Sequence, residues 1–330
     1  MNNIFLDPQT KLLRTEWRVA IFIVISPYLL MVLELLLSAG REPATATAIG
    51  IDWLTIIAYV AQVVWVIAAS WACLKFFEKM RLSSLGFAFF RGWWRETWLG
   101  FVIAALMMSA VVALQTIGGG TRLMLNPLFW KTVDGARSFD FIGLGMMARE
   151  IGLAFILLAL AAAFEELLFR GYPFQTLLRG GVAPVIPILV LSIFFGAMHL
   201  GNPNSTTFST VNTILAGIWL AVAYLKTRSL WFPTALHLGW NWMMGAFYGI
   251  PISGLKLIRY PVFLATNEAP LWLTGGSYGC EGGVAATLVL MVATLIIAKA
   301  KWLQVAPEMQ AALNRRDTER EETIKLGLVE

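Results

Sequence analysis

The strongest constraint on this chain is a series of long apolar runs parted by short, basic connectors. Such runs occur near 19–37, 51–74, 98–117, 143–170, 183–200, 208–225, 230–249 and 284–303. At about 1.5 Å of rise per residue, each is at or near the length needed to cross roughly 30 Å of hydrocarbon. Lipid offers no partner to a backbone N–H or C=O, so segments of this kind must close their hydrogen bonds within helices. The expected fold class is an all-α polytopic membrane protein, a bundle of about eight transmembrane helices. Composition agrees, because 58% apolar residues and a mean hydropathy of +0.71 leave too few polar groups to cover a soluble globule of 330 residues. The organisation expected is a single helical membrane domain over 1–303, with its polar motifs within about 140–245. A tail over 304–330 follows, charged through Arg315, Arg316, Asp317, Glu319 and Arg320 and expected as a solvated helix or a disordered end on the cytoplasmic side. No internal repeat points to a transporter built from duplicated halves.

The net charge of +5 does not point to nucleic acid, because Lys and Arg fall in the connectors as orientation signals do. Lys11, Arg14 and Arg18, then Lys75, Lys79, Arg81, Arg91 and Arg95, then Arg170 and Arg179, then Lys226 and Arg228, fall on one side with the tail after Lys299. The other connectors are leaner, with Arg41, then Arg122, Lys131 and Arg137, then Lys256 and Arg259. Both termini are therefore expected in the cytoplasm, with the chain in the plasma (inner) membrane and lipids as its surroundings. The first run is long for a signal-peptide core and lacks a small-residue cleavage site, so it reads as a retained span. The stretch 76–97 interleaves aromatic and basic residues and suits a segment lying along the headgroups. Cys73 and Cys280 are too few and too differently placed for a disulfide framework.

Chemistry enters where ionisable residues interrupt the apolar runs. A carboxylate at bilayer depth costs about 2.5–3.5 kcal/mol on insertion scales, so such groups mark working sites. Glu165 and Glu166 stand side by side, and the chain's only two histidines, His199 and His237, fall in comparably apolar segments. Glu166 and Arg170, four apart, share a helix face and can neutralise each other. Glu165 is rotated about 100° from Glu166, which leaves it the unpaired carboxylate and the better general base. His199 with Glu165 can orient a water, and Phe195, on the face of His199, packs beside it. His237 and Asn241, again four apart, offer two uncharged donors suited to an oxyanion. The site is expected between the fourth, fifth and seventh runs. Counted from Gly181, His199 falls about 27 Å into the membrane, deeper than its partners, unless Pro184 and Pro187 displace, tilt or kink the start of its helix. Glu34, Arg149 and Glu150 read as interfacial or snorkelling groups.

Taken in order, Glu165-Glu166-x-x-x-Arg170, Phe195-x-x-x-His199 and His237-x-x-x-Asn241 resemble the three signature motifs of the CPBP family, the CAAX prenyl proteases and bacteriocin-processing or immunity proteins also called Abi. That resemblance implies an intramembrane glutamate-dependent endopeptidase with its site open to the cytoplasm. By motif position, Glu165 and His199 would activate water, and His237 and Asn241 would hold the oxyanion. The implied partner is a peptide or a lipid-modified protein substrate. No cofactor is favoured. Zinc remains an alternative, since Glu165, His199 and His237 compose a His₂Glu set, though scattered rather than packed on an HExxH helix. A second rival is a non-catalytic scaffold, immunity protein or transporter whose polar residues bind peptide or conduct protons.

The charge asymmetry yields a direct test. Reporter fusions after Lys299 and within 76–97 should report the cytoplasm, and labelling of either from the outer side would overturn the orientation.

Overall fold

The computed structural model describes residues 4–6, 13–38, 51–134, 136–267 and 270–314. Lys11, Arg41, the tail from Arg315 onward and the side chain of Glu34 lie outside the described residues. All eight apolar runs are helical. They form α1 (Thr15–Ser38), α2 (Trp53–Cys73), α3 (Trp93–Ile117), α4 (Phe141–Glu166), α6 (Val185–Met198), α7 (Thr207–Thr227), α8 (Trp231–Trp242) and α10 (Val284–Lys299). Short helices α5 (Tyr172–Arg179), α9 (Leu271–Thr274) and α11 (Pro307–Asn314) complete the set. Four helical stretches, Trp53–Glu78, Trp93–Ile117, Phe141–Arg179 and Thr207–Thr227, are long and apolar enough to cross a membrane, with Val185–Met198 and Val284–Lys299 shorter but apolar. The protein is an integral, polytopic helical membrane protein.

Helix starts follow local chemistry. Asp52 accepts from the Thr55 N–H at 2.7 Å, Asp140 accepts from the Ile142 N–H at 3.1 Å, and Thr206 forms a reciprocal capping box with Ser209. Three helices run on into π turns, at Leu74–Glu78, Leu167–Gly171 and Met243–Phe247. The second and third of these begin one residue after Glu166 and two residues after Asn241, in keeping with the concentration of π turns at functional positions.

Lipid removes most of the hydrophobic drive between helices, so close packing at small residues carries more of the association. Here α8 is seated on α3 through a reciprocal pair. A Cβ placed on Gly100 would come 2.7 Å from the Phe232 carbonyl oxygen, and one on Gly239 would come 2.7 Å from that of Phe101. The helix bearing His237 and Asn241 is thereby fixed in depth and rotation against the longest-packed neighbour it has.

The connectors differ from the sequence expectation. Trp93 begins α3, so the membrane-surface stretch ends at Gly92 rather than at residue 97. That stretch is also pinned inward: Trp231 Nε1 donates to the Ala88 carbonyl at 3.1 Å, and Arg179 pairs with Glu78 at 2.7 Å. Two antiparallel pairs join the helices, β1 (Thr121–Leu125) with β4 (Phe263–Asn267) and β2 (Trp130–Val133) with β3 (Ala136–Phe139). The register sets Thr121 opposite Asn267 and Trp130 opposite Phe139, whose rings stack at 4.7 Å. The first part of the tail is helical, one of the two forms expected of it, but α11 is not wholly solvated, because Met309 is completely buried.

Candidate active site

The site is built around Glu166. Its carboxylate, fully buried on the last turn of α4, accepts from Arg170 Nη1 at 2.9 Å. Arg170 spends its Nη2 on the Gly217 carbonyl of α7 at 2.8 Å and sets its guanidinium 5.0 Å from the Phe195 ring of α6. From α8, His237 Nδ1 reaches the same Glu166 oxygen at 3.1 Å. One carboxylate therefore ties α4 to α8 directly and to α6 and α7 through Arg170. Burial of an ion costs several kcal/mol, and hydrogen bonds from oppositely charged or polar partners are what offset it.

Glu165, the adjacent residue, meets a different environment. Its side chain is 27% exposed, and its Oε2 lies 3.8 Å from His237 Nε2. The imidazole of His237 thus lies between the two glutamates. Because a carboxylate can only accept, the Nδ1 facing Glu166 carries the proton, and Nε2 is the nitrogen presented toward Glu165. This refines the expectation of an uncharged His237 donor: with Nδ1–H committed to Glu166, a donor at Nε2 exists only in the doubly protonated ring.

His199 is the C-cap of α6 rather than part of its body. Its Nδ1 lies 2.7 Å from the Phe195 carbonyl oxygen, which must likewise receive a proton, so Nε2 is left as an acceptor. The depth mismatch found from Gly181 shrinks because α6 starts only at Val185, with Pro184 as its N-cap, and has 14 residues. Phe195 packs as expected, 4.8 Å from the His199 ring and 6.1 Å from that of His237.

Glu165, His199, His237 and Asn241 all line one cavity of about 300 Å³, between α4, α6 and α8 with a wall from α7. Trp219 and Glu281 are among the lining residues that the sequence did not single out. Trp219 on α7 gave no signal as one aromatic among 14 tryptophans. Glu281 precedes α10 and accepts from Trp240 Nε1 at 3.0 Å and from the Ser253 N–H and hydroxyl at 2.9 and 2.7 Å. An acid at the edge of an apolar run was the available clue. Glu150, read as interfacial, is instead buried and accepts from the Arg259 N–H at 3.2 Å. As to zinc, His237 Nε2 and Glu165 Oε2 are within reach of a shared ion, yet among the described residues no group of three His, Cys, Asp or Glu side chains converges to hold one. The donor set does not fit a three-ligand protein site.

With this geometry in place, the comparison with known proteins is informative. Residues 147–243, which span every motif residue from Glu165 to Asn241, match the family described as type II CAAX prenyl endopeptidase Rce1-like. Over this motif-bearing core the chain is similar to that family. Among curated proteins, the uncharacterized protein YyaK of Bacillus subtilis (strain 168) is 23% identical over 219 residues, covering 65% of this chain and 68% of that protein. The Rce1-like match supports a peptidase of the CAAX-protease type at the level of general activity.

The different environments of the two glutamates give a stability test. Glu166→Gln leaves Arg170 buried with a neutral partner and should lower stability by about 3–5 kcal/mol, as breaking a buried pair does. Glu165→Gln should leave the melting temperature in detergent nearly unchanged. Equal melting temperatures for the two variants would contradict this division.

Proposed function

We propose that the protein is an intramembrane endopeptidase that hydrolyses a peptide bond of a membrane-associated or lipid-modified substrate with water activated by Glu165. The observation that carries this reading is the asymmetry of the paired carboxylates: Glu166 is consumed by Arg170 and His237, whereas Glu165 faces the cavity beside His237 Nε2. An acid that no arginine neutralises, partly exposed and next to an imidazole, can take a proton from water and return it later.

In the proposed sequence, Glu165 and His199 Nε2 hold a water by accepting its two O–H groups. Glu165 removes one proton as the water oxygen attacks the scissile carbonyl carbon. The resulting oxyanion is met by the Asn241 amide and by His237 Nε2–H in the doubly protonated ring. With the ring doubly protonated, Glu165, Glu166, Arg170 and His237 sum to zero charge before attack, and once Glu165 has taken the proton their remaining +1 is balanced by the oxyanion, so no net charge is stranded in the apolar interior. Protonated Glu165 then passes its proton to the leaving nitrogen as the C–N bond breaks. Glu166, Arg170 and Phe195 act through His237 and His199 rather than on substrate. No step requires a metal. The site opens toward the cytoplasm in this reading, by the charge asymmetry of the connectors.

The substrate's chemistry is a peptide segment able to reach a cavity at membrane depth, and the family description extends this to prenylated CAAX proteins. Purified protein incubated with a library of plain and prenylated peptides tests both. Glu165→Gln should abolish cleavage in a folded protein. Asn241→Ala should lower kcat by about 10²–10³-fold with little change in KM, the usual loss for one oxyanion donor. Chelator should leave turnover intact. Stoichiometric zinc, lost and regained together with activity, would replace this mechanism with a metal-dependent one. Failure of native protein to cleave any peptide would favour the scaffold reading.

A further inference from the structure

An extended peptide presents N–H and C=O groups alternately, so a cavity that holds one must supply both acceptors and donors. Acceptors are plentiful here: Glu165, Glu281 and His199 Nε2 all belong to the lining. Several donors of the lining are engaged within the protein, Asn202 with the Ser253 carbonyl, the Ser253 hydroxyl with Glu281 and the Thr213 hydroxyl with the Ser209 carbonyl, and Asn241 is assigned to the reacting carbonyl.

Trp219 supplies what is missing. It sits on α7, two residues beyond the Gly217 carbonyl that receives Arg170, and lines the cavity while only 1% exposed. Its Nε1 is buried and has no hydrogen-bond partner among the described residues. The tryptophans of α8 show the contrast: Trp231 donates to the Ala88 carbonyl at 3.1 Å, Trp240 to Glu281 at 3.0 Å and Trp242 to the Ile151 carbonyl at 3.2 Å. Trp240 is also the ring neighbour of Trp219, at 5.8 Å, so the two indoles lie side by side with one N–H satisfied and the other not. Trp65 is unpartnered as well, but it does not line the cavity. A buried donor left unmade carries its full desolvation penalty, and a phenylalanine would fill much of the same space without it. A ligand acceptor reaching this N–H would remove that penalty.

We infer that the Trp219 indole N–H is a substrate-binding donor that receives a backbone carbonyl of the bound peptide away from the scissile bond. This rests on the peptidase reading of the cavity and adds a residue that the motifs do not contain. Trp219 makes the same hydrogen bond in the ground state and in the transition state, so its contribution falls on KM rather than kcat.

The experiment compares native protein with Trp219→Phe and with site-specific incorporation of 3-benzothienylalanine at 219, which keeps the shape of tryptophan but replaces N–H by sulfur. Cleavage kinetics and melting temperatures are measured for all three, and peptide binding is measured by fluorescence polarisation. The expected result is a fall in kcat/KM of about tenfold or more, mostly in KM, with the melting temperature of the benzothienylalanine protein equal to or above that of native. Peptides with single carbonyls reduced to CH₂ should include one for which the two losses do not add. Native kinetics in the benzothienylalanine protein, or activity lost in step with melting temperature in both variants, would overturn the inference. If native protein binds peptide without cleaving it, weaker binding in both variants upholds Trp219 while the peptidase reading fails. Absence of both cleavage and binding overturns both.

Discussion

A fully buried carboxylate needs every partner it can find, and the site is arranged around that need at Glu166. Its Oε1 receives both Arg170 and His237, at 2.9 and 3.1 Å, while its Oε2 has no hydrogen-bond partner among the described residues. Removal of one partner from such a set exposes the other to an uncompensated desolvation cost, so the charges stand or fall together. The functional consequence is orientation. An imidazole whose Nδ1–H is held by a fixed carboxylate has one ring nitrogen left to present, and its direction is no longer free. Glu165 can then differ from its neighbour in role although the two are chemically identical.

That arrangement demands precise helix placement in a medium that contributes little drive to helix association. The reciprocal approach of Gly100 to Phe232 and of Gly239 to Phe101 meets the demand for α8. The same logic applies between α6 and α7, where a Cβ on Gly217 would meet the Ser192 Cβ at 2.8 Å. Gly217 thus serves twice, letting α6 approach and offering its carbonyl to Arg170. Packing and electrostatics meet at the same residue.

The helical part of this architecture is written in local periodicity and length, which is why the apolar runs coincide with the helices and why the spacing of Glu166 and Arg170 already implies their pairing. The phase difference between Glu165 and Glu166 is equally local, and the structure sets the two in different environments. What was not legible depends on contacts between distant segments. His237 meets a carboxylate 71 positions away, and no helical spacing encodes that pairing. Glu281 and Ser253 come together only when the loop after α8 folds against the start of α10. The β1–β4 pair joins the short apolar stretches Leu123–Leu125 and Phe263–Leu264, too brief for a helical period and far apart in sequence, whereas the β2–β3 pair does carry a tight-turn signal, Asp134-Gly135. Met309 lies in the short stretch PEMQAALN, and its burial accompanies the packing of α11 against residues 82–85, a contact between distant segments.

The central claim, that Glu166 holds the Nδ1 proton of His237 and so aims Nε2 at the cavity, is open to direct measurement because the chain has only two histidines. Protein labelled with ¹⁵N-histidine and studied by NMR in nanodiscs gives two imidazole signal sets. The account predicts a protonated, hydrogen-bonded Nδ1 on His237 whose signal changes in Glu166→Gln while the His199 set stays in place. A bare Nδ1 on His237, or a His237 signal indifferent to Glu166→Gln, would contradict it.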